Sequence, residues 1–522
     1  MPPVRESSTS PTSRFRVLGG VGLCVLGGIA LMLALPRYGG LWPLALVALV
    51  PMLFAQYRLF PRKLSGLAPG LTVGVYWLGG LYQLNTIAPL WMLAIAGIVI
   101  GLVWGLIFSL GRAFNERTSF ALFMIELPAL WVAIDLVPWG GNISGSALWL
   151  GYNMADVPAL IQPVSVVSTP GLSFLILAIN GALGLVLLAI YDRRQGTPTA
   201  LAVPARVATV TLAVVCAVSL VWLGVSAILY SQELGKPQVR VAVAQIGTVN
   251  SPGVLGSIEF TPALAGQFTQ MTKQAAAQGA QYVLWPEDIL NFDPTDPAKP
   301  FVADLAKQTK VYILTGFTTD GGRTINRLAL FGPDGRVVAT FQKNHPVILM
   351  GEYWDYPPTF PAWPTQFATV GPLVCFDIGF PFDTAQEVLN GAQIIMVPSG
   401  GPASTASDQY RQAQFRAVEN RVAYVKGDWA WDSAIIEPNG TLVSHTETTD
   451  EAGEEFLVVG NVHLGTGEGT FFTHYRYLFP IIVFLAVLIR MVIQVGTSPI
   501  VRRRRRPGEL ASVSDPPNTV VP

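Results

Sequence analysis

The stretch Leu373-Val-Cys-Phe-Asp-Ile-Gly-Phe-Pro381 places a cysteine at the end of a strand-like apolar run. Cys375 is the only cysteine in the long polar part of the chain, because Cys24 and Cys216 lie inside apolar runs. A thiol inside an apolar run behaves as a small hydrophobic side chain. An unpaired thiol in an oxidising compartment is a liability unless it has chemistry to do. We therefore expect Cys375 to have a chemical role if this part of the chain faces outward.

The composition of the 522-residue chain is that of a membrane protein with a substantial polar domain. Hydrophobic residues make up 51% of the chain and charged residues only 13%, which is far from the average of soluble proteins. The formal net charge is zero, so no basic field argues for nucleic acid as a partner. The sequence contains no heptads, zinc-type Cys/His spacings or internal repeats.

Apolar runs of about 20 residues, the length that crosses a bilayer core, predict eight membrane spans. They are placed at residues 17–36, 40–57, 66–86, 89–111, 118–138, 160–190, 207–230 and 475–497. Glu126 lies within the fifth span, where an acid is a candidate for function or for a helix interface. Arg490, near the inner end of the last span, is expected to extend to the lipid headgroups.

The basic residues of the short loops predict the orientation of the spans, because cytoplasmic loops carry an excess of Lys and Arg. They fall on one side of the membrane and are Arg5, Arg14, Arg16, Arg58, Arg62, Lys63, Arg112, Arg117, Arg193, Arg194, Arg206 and the run Arg502–Arg506. A basic run beside a span indicates a topology anchor rather than a nucleic-acid patch. Both termini are therefore predicted to be cytoplasmic, with residues 231–470 on the outer side.

This topology divides the chain into five segments. They are a cytoplasmic tail at 1–16, a membrane domain with seven spans at 17–230, an extracytoplasmic domain at 231–470, an eighth span at 471–500, and a basic tail at 501–522 that we expect to be disordered. Short β-rich runs alternate with helical stretches in the extracytoplasmic segment, which is typical of an α/β domain. Its predicted strands are Val239–Gln245, Tyr282–Trp285, Val311–Gly316, Arg327–Phe331, Val337–Phe341, Val370–Phe376, Ile394–Pro398, Ala423–Asp428 and Ser433–Glu437, with helices near 257–278, 298–309, 381–390 and 407–420.

Three polar residues each follow a strand-like run, where an α/β sheet usually presents its reactive groups. They are Glu287, Lys343 and Cys375. A thiol becomes a good nucleophile beside a cation and a base, and a lysine can also stabilise an oxyanion. Glutamate can take the thiol proton and return it to a leaving group. Each residue also has an ordinary interpretation, as a structural cysteine or a solvated surface charge, and spacing alone does not decide between the two.

Four short motifs in this segment resemble those of the nitrilase (carbon–nitrogen hydrolase) superfamily, and they occur in the same order. They are Trp285-Pro-Glu287, Lys343-Asn344, Gly351-Glu-Tyr353 and Cys375-Phe-Asp-Ile-Gly-Phe-Pro381. The resemblance implies an α-β-β-α sandwich, a catalytic triad of Glu287, Lys343 and Cys375, and supporting roles for Glu352 and the backbone N–H of Phe376. Trp285, Tyr353 and Asp377 belong to the same motifs and are taken as supporting or substrate-binding residues. The resemblance implies neither a metal nor an organic cofactor.

The insertion of such a domain between a seventh and an eighth span is similar to one branch of that superfamily, the apolipoprotein N-acyltransferases. Stretches of the membrane half, Pro128–Asp135, Leu148–Tyr152 and Pro170–Phe174, also resemble that branch. The resemblance implies an enzyme of the bacterial inner membrane that moves an acyl chain from a phospholipid, through a cysteine thioester, to the N-terminal amine of a diacylglyceryl-cysteine lipoprotein. It leaves the oligomeric state open.

Departures from the pattern of the branch keep alternatives open. Cys375-Phe376-Asp377 replaces the usual Cys-Tyr-Glu, Ile348-Leu-Met-Gly-Glu352 replaces Pro-Phe-Gly-Glu, and Pro398-Ser-Gly-Gly-Pro402 replaces Asn-Asp-x-Trp-Phe. The last change removes bulky groups and motivates a membrane-tethered amidase or ester hydrolase, in which water resolves the thioester. A non-catalytic membrane scaffold is a further alternative. His345, two residues from the lysine, raises a Cys–His hydrolase of the protease type.

Overall fold

The structure is a computed structural model of the chain. It describes residues 11–86, 88–137, 145–146, 148–199, 201–235, 237–247, 259–320, 324–401, 403–446 and 455–497. Residues 1–10 of the predicted N-terminal tail, the whole predicted tail at 501–522 and Pro402 lie outside the described residues.

The membrane half is built of helices α1 to α8, and one more helix of the same kind, α14, follows the α/β domain. The bounds are Pro11–Ala34 (α1), Val50–Phe54 (α2), Leu67–Tyr82 (α3), Leu90–Arg117 (α4), Phe123–Leu136 (α5), Pro158–Ile161 (α6), Val164–Gln195 (α7), Ala205–Tyr230 (α8) and Leu478–Gly496 (α14). Short turns of 3-10 or π geometry extend α2 and α3. Many large apolar side chains face outward from α4, α8 and α14, as contact with lipid requires.

Seven helical segments among the described residues are long and apolar enough to cross a membrane. They correspond to seven of the eight predicted spans. The exception is the fifth, because α5 is helical over only 14 residues. At 1.5 Å per residue that helix is about 21 Å long, which is shorter than the roughly 30 Å hydrocarbon core.

Close glycine contacts and buried ion pairs hold the membrane helices together. A Cβ atom on Gly101 of α4 would lie 2.7 Å from the carbonyl oxygen of Gly70 on α3, so the close approach of these helices requires glycine. Arg490 of α14 does not reach towards the headgroups as expected. Its Nη2 instead lies 3.2 Å from Oε1 of Glu126 on α5, because a buried acid in hydrocarbon is stabilised by an opposite charge. Glu126 therefore serves the interface between the two helices.

The α/β domain contains twelve strands and five further helices among its described residues. The strands are Gln238–Ile246 (β1), Tyr282–Leu284 (β2), Tyr312–Asp320 (β3), Thr324–Phe331 (β4), Val337–Gln342 (β5), Trp363–Pro364 (β6), Thr369–Pro372 (β7), Ile394–Pro398 (β8), Ala423–Gly427 (β9), Ala434–Ile436 (β10), Leu442–His445 (β11) and Glu455–His463 (β12). The helices are Pro262–Ala277 (α9), Phe301–Thr309 (α10), Pro381–Leu389 (α11), Ala403–Asn420 (α12) and Phe471–Tyr475 (α13).

Two six-stranded sheets form the centre of this domain. Their strand orders are β12-β1-β2-β3-β4-β5 and β11-β10-β9-β8-β7-β6. Val243 and Leu314 of the first sheet pack with Ile394 and Val425 of the second in a single buried cluster. Helices α9 and α10 cover the outer face of the first sheet, and α11 and α12 cover the second. These four layers confirm the predicted α-β-β-α sandwich.

Two details of the prediction were wrong at the residue level. The strand expected over Val370–Phe376 ends at Pro372, and Cys375 begins a short 3-10 turn, Cys375–Gly379. The strands β6, β11 and β12 were not predicted, although β12 pairs antiparallel with β1 along nine residues. The turn matters for the site because it removes Cys375 from the ladder of the sheet.

Helix α12 joins the α/β domain to the membrane half. Oε1 of Glu419 accepts hydrogen bonds from the Ser168 hydroxyl at 2.6 Å and from the Thr169 amide at 2.9 Å. Ser168 has a left-handed φ of 60° inside α7, two residues before Pro170, which has no N–H to donate. The other oxygen of Glu419 pairs with Arg416 at 3.0 Å, and both side chains are fully buried. A buried ion pair of α12 thus contacts the kink of membrane helix α7.

Candidate active site

The three residues of the predicted triad each follow a strand, as expected. Glu287 comes after β2, Lys343 directly after β5, and Cys375 after β7. All three are buried, with exposures of 5%, 2% and 8%. Because these strands belong to two facing sheets, their ends converge at one side of the sandwich.

Lys343 lies at the centre of a buried charge cluster. Its Nζ donates to Oε1 of Glu287 at 2.8 Å and to Glu352 at 2.9 Å. Burial alone would lower the pKa of the ammonium, but the two carboxylates outweigh it and raise the pKa of Lys343 well above its usual value. Lys343 therefore carries a permanent positive charge between two acids.

Asn326 of β4 joins the same cluster and was not predicted from the sequence. Its Nδ2 donates to Glu287 at 2.6 Å and to Glu352 at 3.1 Å. The backbone N–H of Val347 donates to the other oxygen of Glu352. These bonds fix both carboxylates in place. A polar side chain shortly before the apolar run Leu328–Phe331 was the only available signal for Asn326.

Asp377 positions the cysteine turn against the lysine loop through its backbone contacts. Its carboxylate accepts N–H bonds from Val374 at 2.9 Å, from Asn344 at 3.3 Å and from His345 at 2.8 Å. Burial raises the pKa of Asp377 to about 7. Cys375 itself has a left-handed φ of 43°, a strained conformation for a residue with a side chain and one that is common at functional sites.

The Cys375 thiol is influenced by both charged residues of the predicted triad. Burial raises its pKa to about 12, the negative charge of Glu287 acts in the same direction, and the ammonium of Lys343 opposes them. The thiol is therefore protonated at rest, and a base must remove its proton before it can attack. Glu287 is the carboxylate whose charge acts most strongly on the sulfur.

Two side chains near the sulfur were missed by sequence reasoning. Nε2 of Gln409, on α12, lies 3.4 Å from Sγ of Cys375. The hydroxyl of Ser399 donates to Oε1 of Gln409 at 2.9 Å. Ser399 lies in the segment that departs from the pattern of the resembling branch, so that departure was the available signal. Gln409 lies in a predicted helix and carried none.

The remaining predicted residues lie around this centre. Trp285 is fully buried, its ring stacks on Phe268 at 4.4 Å, and its indole N–H donates to Thr272. Its side chain thus belongs to the packing beneath α9. Tyr353 is 40% exposed beside the lysine loop. Phe376 meets the ring of Phe380 edge-on at 5.3 Å, within the cysteine turn.

His345 does not pair with the cysteine. Its Nε2 lies 2.9 Å from Oδ2 of Asp383, and its ring stacks on Phe380 at 3.4 Å. Burial would lower the pKa of His345, but Asp383 outweighs it and raises the pKa. This orientation removes the support for a Cys–His hydrolase.

Among the described residues, two groups of His, Asp and Glu side chains have spacings that could accept a metal ion. One consists of His345, Asp377 and Asp383, and the other of Glu287, Asp288 and Glu352. In the first group the atoms already take part in the hydrogen bonds described above. In the second the Lys343 ammonium contacts two of the three carboxylates, which gives that group a cation supplied by the chain itself.

Two family models match parts of this chain. The family model described as the apolipoprotein N-acyltransferase N-terminal domain matches residues 27–182, and the one described as carbon-nitrogen hydrolase matches residues 240–468. The chain belongs to the apolipoprotein N-acyltransferase family, within the nitrilase superfamily. The membrane half thus matches the N-terminal domain of the N-acyltransferases, and the α/β domain matches the wider carbon-nitrogen hydrolase superfamily.

Relatives of the same name extend along most of the chain. The apolipoprotein N-acyltransferase of Geobacter metallireducens is 26% identical over 88% of this chain and 92% of its own length. That of Synechocystis sp. is 24% identical over 74% of this chain and 82% of its own. An amidase from Nesterenkonia sp. of known structure is 18% identical, with a TM-score of 0.37, over 44% of this chain and 93% of its own.

Proposed function

We propose that this protein transfers an acyl chain from a membrane phospholipid, through a thioester on Cys375, to the N-terminal amine of a diacylglyceryl-cysteine lipoprotein. The observation that carries the proposal is the buried Glu287–Lys343 pair at 2.8 Å, whose two charges both act on the Cys375 thiol. Family membership and seven membrane-length helices support a lipid-linked substrate.

In the first step Glu287 accepts the thiol proton while sulfur attacks the ester carbonyl of the phospholipid. The oxyanion that forms is stabilised by the ammonium of Lys343 and by the backbone N–H of Phe376. When the C–O bond breaks, Glu287 returns its proton to the leaving alkoxide. The products are a thioester on Cys375 and a lysophospholipid.

In the second step the lipoprotein amine attacks the thioester carbonyl. The C–N bond forms, the C–S bond breaks, and its electron pair stays on sulfur. Glu287 takes the proton that the amine loses and passes it to the sulfur, which restores the resting thiol. Glu352 and Asn326 hold Glu287 and Lys343 throughout, because both contact the same buried cluster.

The membrane helices and the family membership support a bacterial inner-membrane protein. We place residues 231–470 on the outer side and both termini in the cytoplasm, because the basic loops lie on one side. The boundaries of the membrane domain at 17–230 and of the eighth span at 471–500 belong to the same proposal. A domain tethered to helices at both ends holds its nucleophile near the lipid esters.

The amidase or ester hydrolase alternative rested on the loss of bulky groups from residues 398–402. The ring of Trp429 lies at that loop, since a Cβ on Gly400 would be only 2.5 Å from it. The indole N–H of Trp429 also donates to the backbone carbonyl of Glu287. A bulky side chain therefore lies beside the site from another part of the chain, which favours shielding of a thioester from water.

To test this function, purified protein in detergent is incubated with a phospholipid that carries a labelled acyl chain and with a diacylglyceryl-modified peptide. We expect the label in an amide at the peptide N-terminus. Labelled free fatty acid at the same rate with and without peptide would instead support the hydrolase. A peptide with an acetylated N-terminus is the matched control and should remain unlabelled.

A further inference from the structure

Three groups outside the triad lie within hydrogen-bonding reach of the Cys375 sulfur: the side chains of Gln409 and Ser399 and the backbone of Gly400. The Gln409 contact, between Sγ of Cys375 and Nε2 of Gln409, measures 3.4 Å. The amide oxygen of Gln409 accepts from the Ser399 hydroxyl, which leaves the amide hydrogens for the sulfur. A sulfur acceptor at this distance is within hydrogen-bond range, and a thiolate accepts more strongly than a thiol.

Gln409 is held in place by the helix that carries it. Helix α12 packs its apolar side, including Ala413 and Ala417, on the second sheet. Near its other end the fully buried Arg416–Glu419 pair binds the kink of α7. The amide therefore approaches the sulfur from a rigid element with anchors on both halves of the protein, as a preorganised donor requires.

We propose that Gln409 is a catalytic hydrogen-bond donor to the sulfur of Cys375 in both steps of acyl transfer, and that Ser399, whose side chain also contacts the thiol, positions the amide of Gln409. This proposal rests on the function proposed above. The sulfur carries negative charge twice, as the nucleophile in the first step and as the leaving group in the second. A donor aimed at the sulfur stabilises both charged states relative to the neutral thiol.

The proton transfers are unchanged by this assignment. Glu287 takes the thiol proton in the first step and returns a proton to sulfur at the end of the second, while Gln409 keeps its own hydrogens. Burial strongly disfavours the thiolate of Cys375. The amide of Gln409 is suited to offset that cost, because it is neutral and adds no second charge to the site beside Lys343.

The first measurement is the rate of alkylation of Cys375 by iodoacetamide as a function of pH, in protein that carries Cys24→Ala and Cys216→Ala. We expect Gln409→Leu to slow alkylation roughly tenfold near pH 8, since a donor to a charged group is lost. Gln409→Glu, which keeps the size of the side chain, should be slower still. Gln274→Leu, on the exposed side of α9, is the control and should match wild type.

The second measurement separates this inference from the function itself. After labelling with phospholipid, the loss of thioester upon addition of an amine-bearing peptide should also be roughly tenfold slower in Gln409→Leu, and modestly slower in Ser399→Ala. Unchanged alkylation at every pH in a Gln409→Leu protein with wild-type Tm would overturn the inference. Slower alkylation together with no thioester even in wild type would reject acyl transfer while retaining Gln409 as the donor.

Discussion

Replacing Lys343 by methionine removes the only side-chain cation that contacts both Glu287 and Glu352 in the described structure. The two carboxylates are 5% and 8% exposed, and their distances to the lysine Nζ are 2.8 and 2.9 Å. Removing one partner of a buried ion pair costs about 3–5 kcal/mol, because an uncompensated buried charge remains. For a domain of this size that corresponds to a Tm lower by roughly 6–20 °C.

The assay is thermal unfolding followed by tryptophan fluorescence in detergent, at about pH 7 and about pH 5, with Lys273→Met as the exposed control. The variant should regain stability relative to wild type on acidification, because protonation of a carboxylate removes the uncompensated charge. Lys343 cannot cause this trend. Its raised pKa gives stability that is complete below the usual lysine value near 10.4 and is lost only at higher pH. A loss below about 1 kcal/mol at pH 7, or a gap that does not narrow at pH 5, would refute the reasoning.

Three further outcomes can be checked on other variants. Burial raises the pKa of Asp288 to about 7, so its contribution to stability is present below about pH 4 and is lost as pH rises to 7. Denaturation experiments on Asp288→Asn should therefore show a flatter dependence of the unfolding free energy on pH across that window, by up to about 4 kcal/mol. Gly400→Ala should slow acyl transfer at least roughly tenfold, because the added Cβ would displace Trp429. The control is Gly266→Ala, whose added Cβ would have no atom within 4 Å, and it should match wild type in the same assay. Glu419→Gln should lower the unfolding free energy by about 3–5 kcal/mol, since it leaves a fully buried arginine unpaired; a Tm equal to that of wild type would contradict this.

The strands that precede the three triad residues could be predicted from the sequence because local patterns define them, although the strand before Cys375 ends earlier than expected, at Pro372. Glu287, Lys343 and Cys375 each follow an apolar β-rich run, and the order of the surrounding motifs predicted which of the many polar residues belong together. Glu352 was also expected near the lysine, and it lies 2.9 Å from it. The alternation of strands and helices predicted an α/β domain, and the family resemblance implied the α-β-β-α sandwich.

The partners of those residues could not be predicted, because they come from distant segments. Asn326 reaches the charge cluster only through the pairing of β4 with its neighbours. Gln409 meets the sulfur across 34 positions of sequence. The strand β12 pairs with a strand more than 200 residues earlier, and local periodicity carries no information about such a pairing.

The contact made by Arg490 could not be predicted for a similar reason. A lone arginine near the end of a span indicates extension to the headgroups when only its own helix is considered. Its partner Glu126 lies on a helix 364 positions away. The two observations were available separately in the sequence, but only packing of α14 on α5 joins them.

The most direct test of the account is the covalent state of Cys375. Purified protein is incubated with a phospholipid that carries a labelled acyl chain, and the label on the protein is then treated with neutral hydroxylamine, which cleaves thioesters. We expect hydroxylamine-sensitive label on wild type and on a Cys24→Ala, Cys216→Ala protein, and none on Cys375→Ala. Equal labelling of wild type and Cys375→Ala would contradict it.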